Sequence, residues 1–230
     1  MPTIRRSTTT SMTQGVVGHP DAGRPGPGHG DLSIQVTPAI DVTEMTARKL
    51  RLRRELRAAR RAEAGRGVGD LDADLARVLM SCPLLAGARR VACYTSMPGE
   101  PGTRATLAQL RRNDVDVLLP VLLPDADLDW ELLPAHDTAT APGHLGPHAI
   151  ATADVVIVPA LAVDTAGHRL GQGGGSYDRA LVRAPARVPV LAVVHDEELL
   201  DAAVSPLPSL PHDRPVHAVA TPTRWLWLMT

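Results

Sequence analysis

A chain of 230 residues with 44% hydrophobic content can bury a full core, so one domain plus a tail is the first expectation. A net charge of −1 gives no global field for nucleic acid or an anionic membrane, and two Tyr, three Trp and no Phe leave almost no platform for stacking bases. Cys82 and Cys93 are too few for a disulfide framework and lack zinc spacing, and no run is apolar enough to span a bilayer, so a cytoplasmic monomer acting on small molecules is expected.

Residues 1–44 carry no apolar periodicity. Ser7–Ser11 and the Gly/Pro-rich stretch Gly23–Gly30 cannot repay their ordering entropy, and this segment is expected to be a disordered tail. Met45 stands directly before the first helical pattern and is a candidate start, which leaves 45–230 as a single domain. Thr46 to about Ala64 reads as a helix, with Leu52 and Leu56 sharing a face among many cations. Lys49 and Arg53 are four apart and project together, a geometry suited to a polyphosphate; a basic helix face is more commonly just solvated. Arg66–Asp70 breaks the helix, and Leu71–Met80 forms a second one with Leu71, Leu75, Val78 and Leu79 as its apolar side, closed by Pro83.

Strands and helices then alternate. Arg90–Thr95 is a strand, 97–103 a turn-rich loop, Arg104–Arg112 a helix, Val115–Leu122 a strand and Asp129–Leu132 another. Residues 134–149 are irregular. Asp154–Val163 reads as one long central strand, Val188–Val194 and Val216–Thr221 as further strands, and Trp225–Leu228 as a tail packed on the body. Near-continuous apolar strands alternating with helices predict an α/β domain whose mostly parallel sheet is covered by helices on both faces, a three-layer arrangement. Ligands in such sheets collect at the carboxyl ends of the strands, which singles out the loops at 95–103, 164–178 and 195–215.

The middle of these loops holds Arg169-Leu170-Gly171-Gln172-Gly173-Gly174-Gly175-Ser176-Tyr177-Asp178-Arg179. Four glycines in five positions let a ligand reach the backbone and permit the positive φ values that turn successive N–H groups to one point. A helix start just beyond adds its own N–H groups, so the stretch reads as an anion site for phosphate or, more blandly, as a surface turn. It lacks the lysine of the P-loop, and its glycines do not keep the G-x-G-x-x-G spacing of the dinucleotide fingerprint.

The segment closely resembles the signature of the 5-formyltetrahydrofolate cyclo-ligase family, P-A-L-A-x-D-x-x-G-x-R-L-G-x-G-x-G-x-Y-D-R. Here it stands as Pro159-Ala160-Leu161-Ala162-Val163-Asp164, Gly167 and Arg169 to Arg179. The likeness extends outward: Lys49 with Leu52-Arg53 resembles the family's K-x-x-L-R helix, Met97, Glu100 and Thr103 its substrate loop, and Pro211-His212-Asp213 its late acidic position. It runs from about residue 46 to 222. Two departures stand out. Ser176 replaces a frequent tyrosine, and the G-x-x-G-I-x-E-P stretch survives only as Pro142–Pro147, without the glutamate.

The resemblance implies closure of 5-formyltetrahydrofolate to 5,10-methenyltetrahydrofolate with ATP and Mg²⁺ as co-substrate and cofactor. It implies phosphate binding by Lys49, Arg53 and residues 169–177 (Arg169, Leu170, Gly171, Gln172, Gly173, Gly174, Gly175, Ser176 and Tyr177). Lys49, Arg169 and Tyr177 would act at the reacting centre, Thr95, Glu100 and Tyr177 would receive the folate, and Asp178 with Asp213 would hold the metal. Each has a plainer role available: Asp178 can cap a helix or pair with an arginine, Asp213 can fix a turn, Glu100 can cap, Tyr177 can be core. Asp164 is expected to fix a turn, Trp130 to be core, and the histidines at 136, 144 and 148 to be surface. A folate or nucleotide binder without turnover, and a sugar-phosphate isomerase of similar layering, are the alternative functions.

Overall fold

The computed structural model describes residues 41–63, 71–136, 143–210 and 213–228. The expectations for residues 1–40, for the breaker at Arg66–Asp70, and for Pro142, Pro211 and His212 lie outside the described residues.

The first helix, α1, spans Val42–Glu63 and begins four residues ahead of the expected Thr46. The reason is Asp41, whose Oδ1 accepts the N–H groups of Thr43 at 2.9 Å and Glu44 at 3.1 Å, satisfying donors that a helix start leaves open. The expected tail boundary at 44 therefore falls inside α1. Lys49 and Arg60 are the helix's two buried residues, so α1 is not docked by a broad apolar stripe. Leu52 and Leu56 are half-buried against Ala162, Leu170 and Leu207.

After α2 (Leu71–Ser81) come β1 (Arg90–Cys93), α3 (Arg104–Arg112), β2 (Asp116–Leu122), β3 (Leu128–Leu133) and β4 (Val155–Pro159). Then follow β5 (Ala162–Asp164), β6 (Arg169–Leu170), α4 (Ser176–Arg183), β7 (Val190–Val193), β8 (Leu199–Leu200), β9 (Ala218–Ala220) and β10 (Trp225–Trp227). The main sheet has the order β10-β9-β7-β4-β1-β2-β3. Its interior pairs are parallel, while β3 and β10 run antiparallel at the two edges. The Trp225 segment, expected only to pack on the body, is thus an edge strand.

Period-two alternation splits the buried strands between two cores. Ala92, Trp130, Val156, Val158, Val190, Ala192 and Val219 face one side, covered by Ala180 and Leu181 of α4 and by Ile150. Val91, Cys93, Val155, Ile157, Leu191 and Val193 face the other, covered by Leu75 and Leu79 of α2 and Leu110 of α3. Helices on both faces of a mostly parallel sheet are the predicted arrangement. Leu71, expected on the apolar side of α2, is instead 38% exposed at the helix start.

The expected single strand over Asp154–Val163 is two strands in two sheets. Pro159 ends the β4 ladder opposite Val193, and Leu161 then donates to the Leu170 carbonyl at 2.8 Å, in a small sheet of order β6-β5-β8. Both halves are buried, so hydropathy does not mark the crossing; the proline, which has no N–H to give a ladder, does.

Candidate active site

The main sheet changes direction of winding between β1 and β4: β2 lies outside β1, and the chain returns to place β4 on its other side. A crevice at the carboxyl ends of these strands is where such sheets take ligands. The loop after β1 and the small sheet after β4 line it. A cavity of about 380 Å³ opens there, lined by Lys49, Arg53, Thr95, Glu100, Arg169, Gly171 to Tyr177, Asp178 and Asp213. Fourteen of the fifteen residues singled out above are thus brought together. Leu170 is the exception. It is buried with Ala162 and Leu207 and anchors the glycine loop from beneath.

The loop leaves β6 and enters α4 through two glycines with positive φ, Gly173 at 101° and Gly175 at 71°. Gly175 caps α4 with no side-chain acceptor, which leaves the helix's first N–H groups to other partners. Arg179, one turn into α4, donates back to the Gly174 carbonyl at 3.1 Å and to the Ala126 carbonyl. It braces the loop from behind.

Positive charge reaches the loop from α1. Arg53 donates to the Gly171 carbonyl at 2.9 Å, and Arg57 donates to the Gln172 side chain at 3.0 Å and to its carbonyl. Burial, followed by the Arg57 charge, pushes the Arg53 guanidinium below its ordinary value. Lys49 Nζ is 2.5 Å from Asp213 Oδ2, which also accepts the Leu210 N–H at 2.7 Å. Arg169, nearly buried, pairs with Asp178, which is 40% exposed. Both carboxylates proposed as metal ligands therefore stand in ion pairs on the cavity wall.

That donor set suits Mg²⁺. It usually takes one or two carboxylates and completes its shell with water and phosphate oxygens. Among the described residues no group of three or more His, Cys, Asp or Glu could cage an ion without such help. The metal would be recruited together with a phosphate.

Glu100 accepts the Met97 N–H at 3.0 Å and sits 3.4 Å from Gln172 Nε2, so it joins the loop after β1 to the glycine loop. Thr95 is exposed on the same wall. Tyr177 packs its ring on both cores, burial pushes its phenol far above the ordinary value, and its hydroxyl has no partner among the described residues. Asp164 fixes its turn, as expected, by accepting the N–H groups of Ala166 and His168; fully buried, it also accepts the distant Leu207 N–H at 2.9 Å and sits 3.0 Å from the His168 ring. Trp130 is fully buried, and His144 is surface but contacts Asp129 at 2.9 Å.

Of the apolar wall, sequence reasoning singled out only Met97, in the substrate loop; it missed Tyr94, Pro120, Leu122, Leu128 and Pro159. Several of these sit at strand ends, and Leu122 and Met97 are exposed apolar side chains, a feature that only the folded structure reveals. A second cavity of about 490 Å³ lies across Met97, Glu100 and Gln172, with Arg57, Arg60 and Arg61 on its far side.

Residues 45–222 match the model of the 5-formyltetrahydrofolate cyclo-ligase family. A 5-formyltetrahydrofolate cyclo-ligase of Mycolicibacterium smegmatis is 41% identical over 149 residues, covering 59% of this chain and 75% of that protein. Another, of Escherichia coli, is 31% identical over 187 residues, covering 75% of this chain and all of that protein. Among solved structures, the Aquifex aeolicus 5,10-methenyltetrahydrofolate synthetase has the same fold, with a TM-score of 0.61 at 22% identity over 79% of this chain and 93% of that one.

Proposed function

The chain belongs to the 5-formyltetrahydrofolate cyclo-ligase family, and from that premise we propose that it closes 5-formyltetrahydrofolate to 5,10-methenyltetrahydrofolate at the expense of ATP. The observation that carries this is the meeting of three cations from two parts of the chain with a glycine loop, opposite an apolar wall, in one cavity. A triphosphate suits the first half and a pterin ring the second.

The substrate's formyl carbon is an amide, with an oxygen that leaves poorly. Transfer of the γ-phosphoryl group of ATP to that oxygen forms an O–P bond, breaks the bond to the bridging oxygen and releases ADP. N10 of the same molecule then attacks the formyl carbon, gives up its proton to solvent, and the C–O bond breaks with departure of phosphate. Both steps are governed by position and charge. Lys49, Arg53 and Arg169 neutralise the phosphates, the N–H groups of residues 171–176 cradle them, and Leu170 seats the loop. Thr95, Glu100 and the Tyr177 ring orient the folate. Asp178 and Asp213 hold Mg²⁺, which supplies charge neutralisation at the phosphate oxygens when bound. No helix among the described residues is long and apolar enough to cross a membrane. As part of the same proposal, the protein works as a cytoplasmic monomer on small-molecule substrates.

Growth of absorbance from the conjugated methenyl product tests the activity. It is expected with enzyme, substrate, ATP and Mg²⁺ and absent when ATP is omitted. No product with all four at high enzyme concentration leaves a binding protein without turnover.

A further inference from the structure

The two buried side chains of α1 are both cations. Lys49 belongs to the phosphate cavity; Arg60, eleven positions later on the same face, does not line it and touches only the adjoining cavity that shares Met97, Glu100 and Gln172 with it. Arg60 donates through Nε to Glu198 Oε1 at 2.6 Å and through Nη2 to Glu198 Oε2 at 2.8 Å, a bidentate pair with side-chain exposures of 8% and 7%. Nη2 also donates to the Ala160 carbonyl at 2.5 Å. Ala160 lies at the crossing from β4 to β5. Glu198 in turn accepts the His195 N–H at 2.8 Å, in the turn after β7. The His195 ring is 3.3 Å from the Gly99 carbonyl, in the loop that carries Glu100. The guanidinium thus ties α1 to the carboxyl ends of β4 and β7, and the His195 ring extends the link to the loop after β1.

We propose that Arg60 and Glu198 are a positioning pair that holds Lys49 and Arg53 at the phosphates without touching substrate. A buried ion pair is weak evidence for stability, because desolvating two charges offsets most of their attraction. Placement is the better reason for this one. The other buried tether of α1, Lys49 to Asp213, and the contacts of Arg53 and Arg57 with residues 171 and 172, all lie where phosphate and metal must enter. Those contacts are exchanged on binding. Arg60's partners lie outside the cavity and stay in place. Arg60 is seven residues, two turns or about 10 Å, from Arg53, so a small tilt at one end of the helix displaces the cations at the other.

This inference rests on the proposed ATP-dependent reaction, and the wild-type assay tests that reaction separately. The variant is Arg60→Met with Glu198→Met, which replaces the pair by apolar groups of similar length and avoids a lone buried charge. With the melting temperature near that of the wild type, KM for ATP is expected to rise about tenfold, part of the roughly hundredfold that a 1 Å misplacement can cost. KM for the folate should stay within about twofold, and Arg60→Lys should recover part of the loss. Wild-type kinetics in a folded double variant overturn the proposal. If the double variant does not fold, Arg60→Lys decides. A rise in KM for ATP alone supports positioning, and equal changes in both KM values, or none, overturn it.

Discussion

The glycines of the loop after β6 are not equivalent, and the difference is measurable. Gly173 has φ of 101°, and a β-carbon there would lie 3.3 Å from the Arg53 guanidinium carbon. Gly174 has no positive φ, and its β-carbon would meet only Ser176 Oγ, at an ordinary 3.5 Å. Gly173→Ala should therefore lose about 1–2 kcal/mol of stability from backbone strain, while Gly174→Ala should melt like the wild type. Both should weaken ATP binding if phosphate approaches this backbone; comparing melting curves with nucleotide titrations separates strain from blocked approach. Lys49→Ala makes a different demand. A lost charge-assisted contact of roughly 1.5–3 kcal/mol should raise KM for ATP by about ten- to a hundredfold and leave folate affinity unchanged. Equal losses measured for both ligands would take Lys49 out of the phosphate site.

At the level of elements, β7 and β9 are tied by a histidine that must stay neutral. His217 Nδ1 accepts the Val190 N–H at 3.0 Å while the His217 N–H donates to the Val190 carbonyl at 2.9 Å. Burial first, and then the Arg214 charge, hold the imidazole below its ordinary value. The folded state then resists a proton that the unfolded state accepts, so this contribution is present above about pH 6.5 and fades as pH falls towards the folded-state value. His217→Asn, with an acceptor but no titration, should flatten the fall in melting temperature between pH 7.5 and 5.5; an unchanged slope would locate the acid sensitivity elsewhere. That contact was not legible in the sequence, because it depends on which strands become neighbours. The parallel sheet and its helices were legible, since alternation of apolar strands with periodic helices carries them. The cavity was legible through one long motif around the glycines. Its apolar wall was not: Pro120, Leu122 and Leu128 look like ordinary strand residues until β2 and β3 pair antiparallel beside the site. The break between β4 and β5 escaped the hydropathy pattern because both strands are buried, and only Pro159 marks it.

For the molecule as a whole, charge is concentrated where it is needed. The net charge is −1, yet one cavity gathers Lys49, Arg53 and Arg169 beside Asp178 and Asp213. Two of those cations are paired with the two carboxylates, so the ligand-free cavity is largely self-neutralised. In the proposed site, triphosphate alone would have to compete with Asp178 and Asp213 for the cations. In the proposed reaction, Mg²⁺ would give the carboxylates a new partner as the cations turn to phosphate, which would balance the exchange. ATP and Mg²⁺ together at a hundred times their Kd should stabilise the fold by about 2.7 kcal/mol. For a unit of this size that is a rise of roughly 5–10 °C in melting temperature. Removing the metal with a chelator should take away most of that rise, whereas the rise produced by 5-formyltetrahydrofolate alone, which rests on the apolar wall, should be indifferent to the chelator. A nucleotide shift that survives complete metal removal would mean that Asp178 and Asp213 serve only as partners of Arg169 and Lys49.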